Sequence, residues 1–334
     1  MIAVVSVLIP VLDEEAHLRS VVARMQTQDI DEDIEFLFID GGSVDSSRVI
    51  LAELAGSDDR IRVLDNPRRQ TSSALNIGLR AARGEFVARM DAHALYPTCY
   101  LRLAVERLRT GGVVHVSGPA LAVEDRCSWS RRIALALSTP LGVGGATFRS
   151  SADAEFEVDT GFTGMWRRDV LVRAGGWDED WPTDQDCELA FRLHATEPGA
   201  HVCVPGLAAE YFPRDSLEGL ARQYWRYGFH KAKTFRRHPA AMRPSHLLPP
   251  ALAAATALAP ASRLARAGLA LYGLALGASA ARAAIDGAAR TDAAALPLVY
   301  VTMHLAYGFG VLAGVSRYGP PVSAVRSALR RLAS

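Results

Sequence analysis

The stretch Gly84 to Ala94, GEFVARMDAHA, passes from a turn glycine through a short apolar run into Asp91-Ala92-His93. Side chains alternate along an extended segment, so Asp91 and His93 are expected to project the same way at a strand tip. A carboxylate and an imidazole beyond the carboxyl end of a strand in an open α/β sheet could hold a divalent cation against a phosphate. A second acidic group, Thr183-Asp184-Gln185-Asp186-Cys187-Glu188, precedes Leu189 and Leu193 at helical spacing and so stands at a helix start. One carboxylate there could take the proton of an attacking hydroxyl. Capping explains Asp184 equally well, whereas Asp186 and Glu188 lie deeper and suit a site better.

Three further groups have ligand-binding chemistry. Asp40, ahead of Gly41-Gly42-Ser43, could accept hydrogen bonds from a base or sugar, and the glycines permit a tight turn and close approach of a ligand. Arg68 and Arg69 share a loop in which a guanidinium could meet a phosphate. Asp13, Glu14 and Glu15 open a helix, where the positive end of the helix dipole is by itself a sufficient reason for acidic residues.

The elements that must position these groups alternate regularly. Strands are read at Val4 to Ile9, Glu35 to Ile39, Ile61 to Leu64 and Glu85 to Met90, separated by helices and short polar turns. That alternation specifies an α/β fold with a mostly parallel sheet covered on both faces. Further along, Val113 to Val116 and Val158 to Trp166 read as strands, and Ser138 to Arg149, STPLGVGGATFR, as a glycine-rich loop over the site. That loop lacks the Gly-Lys-Ser/Thr of a P-loop.

With 37 basic and 36 acidic residues among 334, the net charge is +1, and nothing in the balance points to nucleic acid. The four cysteines show neither a zinc-ligand nor a disulfide spacing, so reduced thiols are expected. The β-branched run at the N-terminus suits a buried strand better than a signal peptide, which keeps the catalytic part cytoplasmic. At about Pro244 the composition changes, with charge-free stretches at Pro244 to Ser262, Ala267 to Ala281 and Ala293 to Ser316. Arginines on both flanks favour an even number of crossings, so residues 241–334 are expected to form apolar helices anchoring a domain of residues 1–240 to the inner membrane. A helical tail used for dimerisation is the alternative.

The order Val5-Ser6-Val7-Leu8-Ile9-Pro10-Val11-Leu12-Asp13-Glu14-Glu15, Ile39-Asp40-Gly41-Gly42-Ser43-Val44-Asp45, Met90-Asp91-Ala92-His93-Ala94, Asp184-Gln185-Asp186-Cys187-Glu188-Leu189 and Gln223-Tyr224-Trp225-Arg226-Tyr227 resembles the family-2 inverting glycosyltransferases of GT-A fold. With the apolar helices, the chain is similar to the membrane-associated branch that builds exopolysaccharides of the succinoglycan type. The resemblance implies a nucleoside-diphosphate sugar donor, UDP-linked by expectation, and a glycan or lipid-linked glycan acceptor. It implies that Pro10, Glu14 and Asp40 meet the donor, that Asp91 and His93 stand at the family's metal site for Mn²⁺ or Mg²⁺, and that Asp186 is the catalytic base. Gln223 and Arg226 fall in a Gln-x-x-Arg-Trp-like element near the diphosphate or acceptor, and Arg68 is expected to assist at the diphosphate. Transfer to a polyprenyl phosphate, and a non-catalytic subunit that only binds sugar nucleotide, are the two rival readings.

Overall fold

The computed structural model describes residues 4–123, 127–144, 153–161, 163–197 and 199–333. By contacts the chain forms two compact units, residues 1–121 with 150–211 and residues 122–149 with 212–334. The second unit therefore takes in a helix pair from the middle of the sequence and everything after Tyr211, a division the composition change near Pro244 does not mark.

The first unit opens with β1 (Val5–Val11), α1 (Glu15–Gln26), β2 (Ile34–Asp40), α2 (Ser47–Ser57), β3 (Ile61–Asp65), α3 (Thr71–Ala81) and β4 (Phe86–Arg89). These four strands pair in parallel, in the spatial order β3-β2-β1-β4. β5 (Ala94–Leu95), α4 (Tyr100–Arg109), β6 (Val113–Ser117) and β7 (Ala120–Ala122) follow, and the chain returns to this unit with β8 (Phe156–Glu157), β9 (Gly164–Arg167), α7 (Arg168–Arg173), α8 (Gln185–Thr196), β10 (Ala200–Cys203) and β11 (Ala209–Tyr211). β9 runs antiparallel between β4 and β6 and so completes an eight-stranded sheet ordered β3-β2-β1-β4-β9-β6-β10-β8. A small sheet ordered β5-β11-β7 lies apart from it.

β1 and β2 are buried along almost their whole length, as strands covered on both faces must be. Leu8, Leu37, Ile39, Leu75 and Val87 form a core with Trp166 and Trp177, and each large apolar side chain withdrawn from water contributes roughly 1.5–3 kcal/mol. Gly84 is required where the chain enters β4, because a Cβ there would lie 2.7 Å from the Ser6 nitrogen and 2.9 Å from the Val4 oxygen. The expected strand at Val158 to Trp166 is shorter, beginning at Gly164, and Phe162 lies outside the described residues. Of the expected glycine-rich loop, Pro140–Val143 is a helical turn capped by Thr139, while residues 145–149 lie outside the described ones.

The second unit is helical: α5 (Ser128–Leu137), α6 (Pro140–Val143), α9 (Leu217–Arg237), α10 (Leu248–Leu258), α11 (Arg263–Ile285), α12 (Arg290–Tyr318) and α13 (Val322–Ala333). α11 and α12 are long and apolar enough to cross a membrane, with mean hydropathies of 1.4 and 1.6 over their best windows. α9 packs flush along α12 because glycines face backbone. A Cβ on Gly228 would come within 2.1 Å of the Tyr307 oxygen, and one on Gly310 or Gly314 within 2.3 Å of the Trp225 or Phe229 oxygen.

The start of α12 is pinned by Asp292, which accepts from Arg131 Nε at 2.7 Å and from Arg132 Nε at 3.0 Å. Asp292→Ala leaves both guanidinium groups without that carboxylate. Removing one partner of a fully buried pair costs about 3–5 kcal/mol. Because the Arg131 side chain is 36% exposed, we expect a smaller loss, about 2 kcal/mol, read as an earlier denaturant midpoint in detergent.

Candidate active site

The site is assembled at the carboxyl ends of β1, β2, β3 and β4, together with the start of α8. An open cleft there is lined by Pro10, Glu14, Gly41, Arg69, Arg89, Asp91 and His93, with Asn66, Gln70 and Thr71 along one wall. Four residues singled out from the sequence, Pro10, Glu14, Asp91 and His93, thus share one concavity.

The loops after β1 and β2 lace together, and this lacing sorts their acidic residues. The Asp13 carboxylate accepts from the Val44 N–H at 2.7 Å, and that of Glu15 from the Ser46 N–H at 2.8 Å. In return Asp45 accepts from the Glu15 N–H and Ser47 Oγ from the Glu14 N–H. Asp13, Glu15 and Asp45 are spent on structure, and Glu14 alone of the acidic run reaches the cleft, where its Oε1 lies 2.9 Å from His93 Nδ1.

Asp40 does not offer its oxygens to the cleft. Its side chain is fully buried and accepts from the Gly42 N–H at 3.1 Å, the Ser43 N–H at 3.2 Å and Ser43 Oγ at 2.6 Å, with Arg48 3.4 Å away. These bonds hold the turn that brings Gly41 to the cleft wall. In this arrangement Asp40 supports that turn from beneath.

The two loop arginines also part company. Arg68 is held in an ion pair with Glu179, which also accepts from Asn76. Arg69, in the left-handed region at φ 55°, turns back to donate to the Gly42 oxygen at 3.0 Å and lines the cleft. Arg69 rather than Arg68 is the cation at this wall.

β4 ends at Arg89, so Asp91 and His93 occupy the following turn rather than a strand tip. Strand alternation therefore does not place them. The turn does: the Asp91 N–H donates to Tyr96 Oη at 2.8 Å, and both side chains line the cleft.

Alternation does hold one step earlier. Arg89, which no sequence pattern singled out, is 6% exposed and bonds two carboxylates at once. Its Nε and Nη2 donate to Asp91 Oδ1 and Oδ2 at 2.9 and 3.2 Å, and its Nη1 to both Asp186 oxygens at 2.6 and 2.5 Å. Asp186, one residue into α8, is thereby tied to Asp91 through a single guanidinium. Burial raises its carboxyl above the usual carboxylate range, and Arg89 opposes that rise. Glu188 is different: it is 2% exposed and paired within α8 to Arg192 at 2.7 Å, a structural contact and not a site contact. Asp184 caps α8 with its backbone at φ 70° and makes no side-chain cap bond.

Behind Asp186 lies a void of about 10 Å³ lined by His115, His201, Thr163 and Trp166. It has room for at most about one water, so the open cleft and not this void is the place for a ligand. His115 stacks on Trp166 at 4.5 Å and His201 on His194 at 3.9 Å. Burial pushes the imidazole of His115 down to about 4 and that of His201 to about 2.

Gln223 and Arg226 stand in α9 of the second unit, where Gln223 donates to Tyr227 Oη at 2.9 Å. Among the described residues no group of three or more His, Cys, Asp or Glu could hold a metal ion. All four cysteines are free.

The cleft lies at the carboxyl edge of a mostly parallel α/β sheet, the edge at which such folds bind their ligands. A model of glycosyl transferase family 2 matches residues 6–171. The chain is 31% identical over 251 residues to the succinoglycan biosynthesis protein ExoA of Rhizobium meliloti (strain 1021), covering 74% of each chain. It is 28% identical over 248 residues, 70% of this chain and 74% of the relative, to a dolichyl N-acetyl-alpha-D-glucosaminyl phosphate 3-beta-D-2,3-diacetamido-2,3-dideoxy-beta-D-glucuronosyltransferase of Methanococcus voltae. Among solved structures, the mannosyltransferase PcManGT of Pyrobaculum calidifontis, in complex with GDP-Man and Mn²⁺, superposes with a TM-score of 0.63 at 22% identity over 95% of this chain and 87% of that one. The chain belongs to glycosyl transferase family 2 and has the GT-A-like fold; it is a glycosyl transfer enzyme.

Proposed function

We propose that the protein is an inverting glycosyltransferase that moves a sugar from a nucleoside diphosphate, UDP in the first instance, to a hydroxyl of a lipid-linked or polysaccharide acceptor during exopolysaccharide synthesis. The observation that carries this reading is the Asp91–Arg89–Asp186 bridge, which keeps a candidate base beside a candidate diphosphate site. Relationship to ExoA supports the exopolysaccharide assignment, and the domain of residues 1–240 with a membrane anchor at 241–334 is kept as part of the proposal. The chemistry is one displacement. Asp186 accepts the proton of the acceptor hydroxyl, the oxygen attacks the anomeric carbon, and the nucleoside diphosphate departs from the opposite face with inversion.

Glu14, Pro10 and the Gly41 turn braced by Asp40 receive the donor, with Arg69 at the phosphate side. Arg68, paired with Glu179, assists at the diphosphate from the same loop. Gln223 and Arg226 are assigned to the diphosphate or acceptor end by their motif.

Asp91 and His93 are two donors from the chain, and each Asp91 oxygen takes one bond side-on from Arg89. Two protein ligands completed by phosphate oxygens and water suit an octahedral Mn²⁺ or Mg²⁺ better than an all-protein cage would, so the residues fit the ion. Such an ion, when bound, offsets the negative charge of a leaving diphosphate.

Calorimetry of the full chain in detergent, titrated with UDP and with GDP in the presence and absence of Mn²⁺, tests this reading. We expect at least about a tenfold loss of affinity on chelation, and the same loss in Asp91→Ala without chelator. Affinity unchanged both by chelation and in Asp91→Ala would remove Asp91 from the donor site.

A further inference from the structure

Arg89 meets two carboxylates with all three of its side-chain nitrogens while almost fully buried. A buried guanidinium is tolerated only when paired, and here one positive charge is shared between two negative ones. The arrangement is also directional. The Nε–Nη2 edge of the planar group forks onto Asp91, and the remaining nitrogen reaches both oxygens of Asp186. A lysine could neutralise the same charge, but a single ammonium cannot hold two carboxylates at opposite sides of one rigid plane.

Asp186 has little else to fix it. Beyond Arg89, its carboxylate receives a long bond from Gln185 Nε2 at 3.4 Å. The residue lies in the first turn of α8, behind an N-cap residue in the left-handed region that makes no side-chain cap bond. The direction in which its oxygens point is therefore set chiefly from β4, across the sheet, and not by its own helix.

We infer that Arg89 is the positioning residue of the transfer reaction, holding the Asp186 carboxylate at a fixed offset from Asp91 so that the base meets the acceptor hydroxyl beside the donor phosphates. This rests on Asp186 being the base. Arg89 acts on the base through Asp186; because it also forks onto Asp91, its loss lowers donor affinity too, but by less than it lowers turnover.

The test is a mutant cycle on the full chain in detergent, with Arg89→Met, Arg89→Lys, Asp186→Asn and the double variant Arg89→Met/Asp186→Asn. Turnover is measured at saturating donor, and donor affinity by calorimetry. In Arg89→Met we expect kcat to fall at least about thirtyfold, and by at least about ten times more than donor affinity changes, with Arg89→Lys recovering part of the loss. The double variant should turn over within about threefold of Asp186→Asn alone, because a positioning residue has nothing left to position. Losses that multiply in the double variant, or an Arg89→Met enzyme with normal kcat beside a dead Asp186→Asn, overturn the inference while leaving the base in place. Normal turnover in Asp186→Asn overturns the base itself, and the two failures are thereby separate. Should Arg89→Met not fold, the same cycle is run with Arg89→Lys, where multiplying losses again overturn the inference and losses that do not multiply support it.

Discussion

Replacing Asp186 by Asn is expected to lower turnover at least about a hundredfold while donor affinity stays within about threefold of the parent enzyme. A positioned general base contributes roughly 10²–10⁴ to a rate, and an amide of the same shape keeps the volume while losing the basic oxygen. The structure makes the substitution informative because the side chain is held from outside its helix: Arg89 Nη1 can still donate to the Asn Oδ1. A loss of rate then reports on chemistry and not on a collapsed site. The readout is single-turnover transfer with a labelled donor, and undiminished transfer would sink Asp186 as the base.

The second large effect concerns stability in acid. His115 and His201 are 2% and 1% exposed, and burial lowers both imidazoles, to about 4 and about 2. In the unfolded chain both protonate near 6.5. The neutral folded forms therefore give up no stability above that value. Below it the unfolded state binds more protons, and stability falls at about 1.4 kcal/mol per pH unit for each histidine until its folded value is reached. Between pH 6.5 and pH 5 the pair is expected to remove about 3 kcal/mol. His201 faces His115 and His194, and Asp186 shares the void behind them. Asp186, with its raised carboxyl, works in the opposite sense, since the folded state takes up that proton first. Denaturant midpoints from pH 7 to pH 5 check this, and His201→Phe should flatten the slope by about half. A slope unchanged in that variant would mean that His201 titrates as it does in water.

Much of this was legible in the sequence because strand and helix periods are local. The alternation from Val4 to Met90 specified four parallel strands, and the polar breaks after them marked the edge at which Pro10, Glu14, Asp91 and His93 gather. What was not legible depended on partners distant in the chain. Asp40 has the composition of a ligand contact, but its oxygens are taken by Gly42 and Ser43 once the turn closes. Arg68 and Arg69 are adjacent and chemically alike, yet Arg69, in the left-handed region, donates to the Gly42 oxygen while Arg68 pairs with Glu179. Arg89 was the recoverable miss. An arginine inside an apolar strand needs a buried anion, and the sequence already offered Asp91 two residues on and Asp186 further along as candidates.

The glycine seam between α9 and α12 bears on how the protein can meet a lipid bilayer. α9 carries Arg222, Arg226, Lys231, Lys233, Arg236 and Arg237 and lies at backbone distance from α12 from Tyr307 onward. Acyl chains cannot surround that half of α12, because a cationic neighbour already occupies one flank. The 17 residues from Arg290 to Ala306 extend only about 25 Å, short of a hydrocarbon layer of about 30 Å. Any bilayer that takes in the whole of α12 must admit a strongly basic helix with it or thin to avoid one. Counting apolar residues along α12 therefore overstates how much of it is available to lipid.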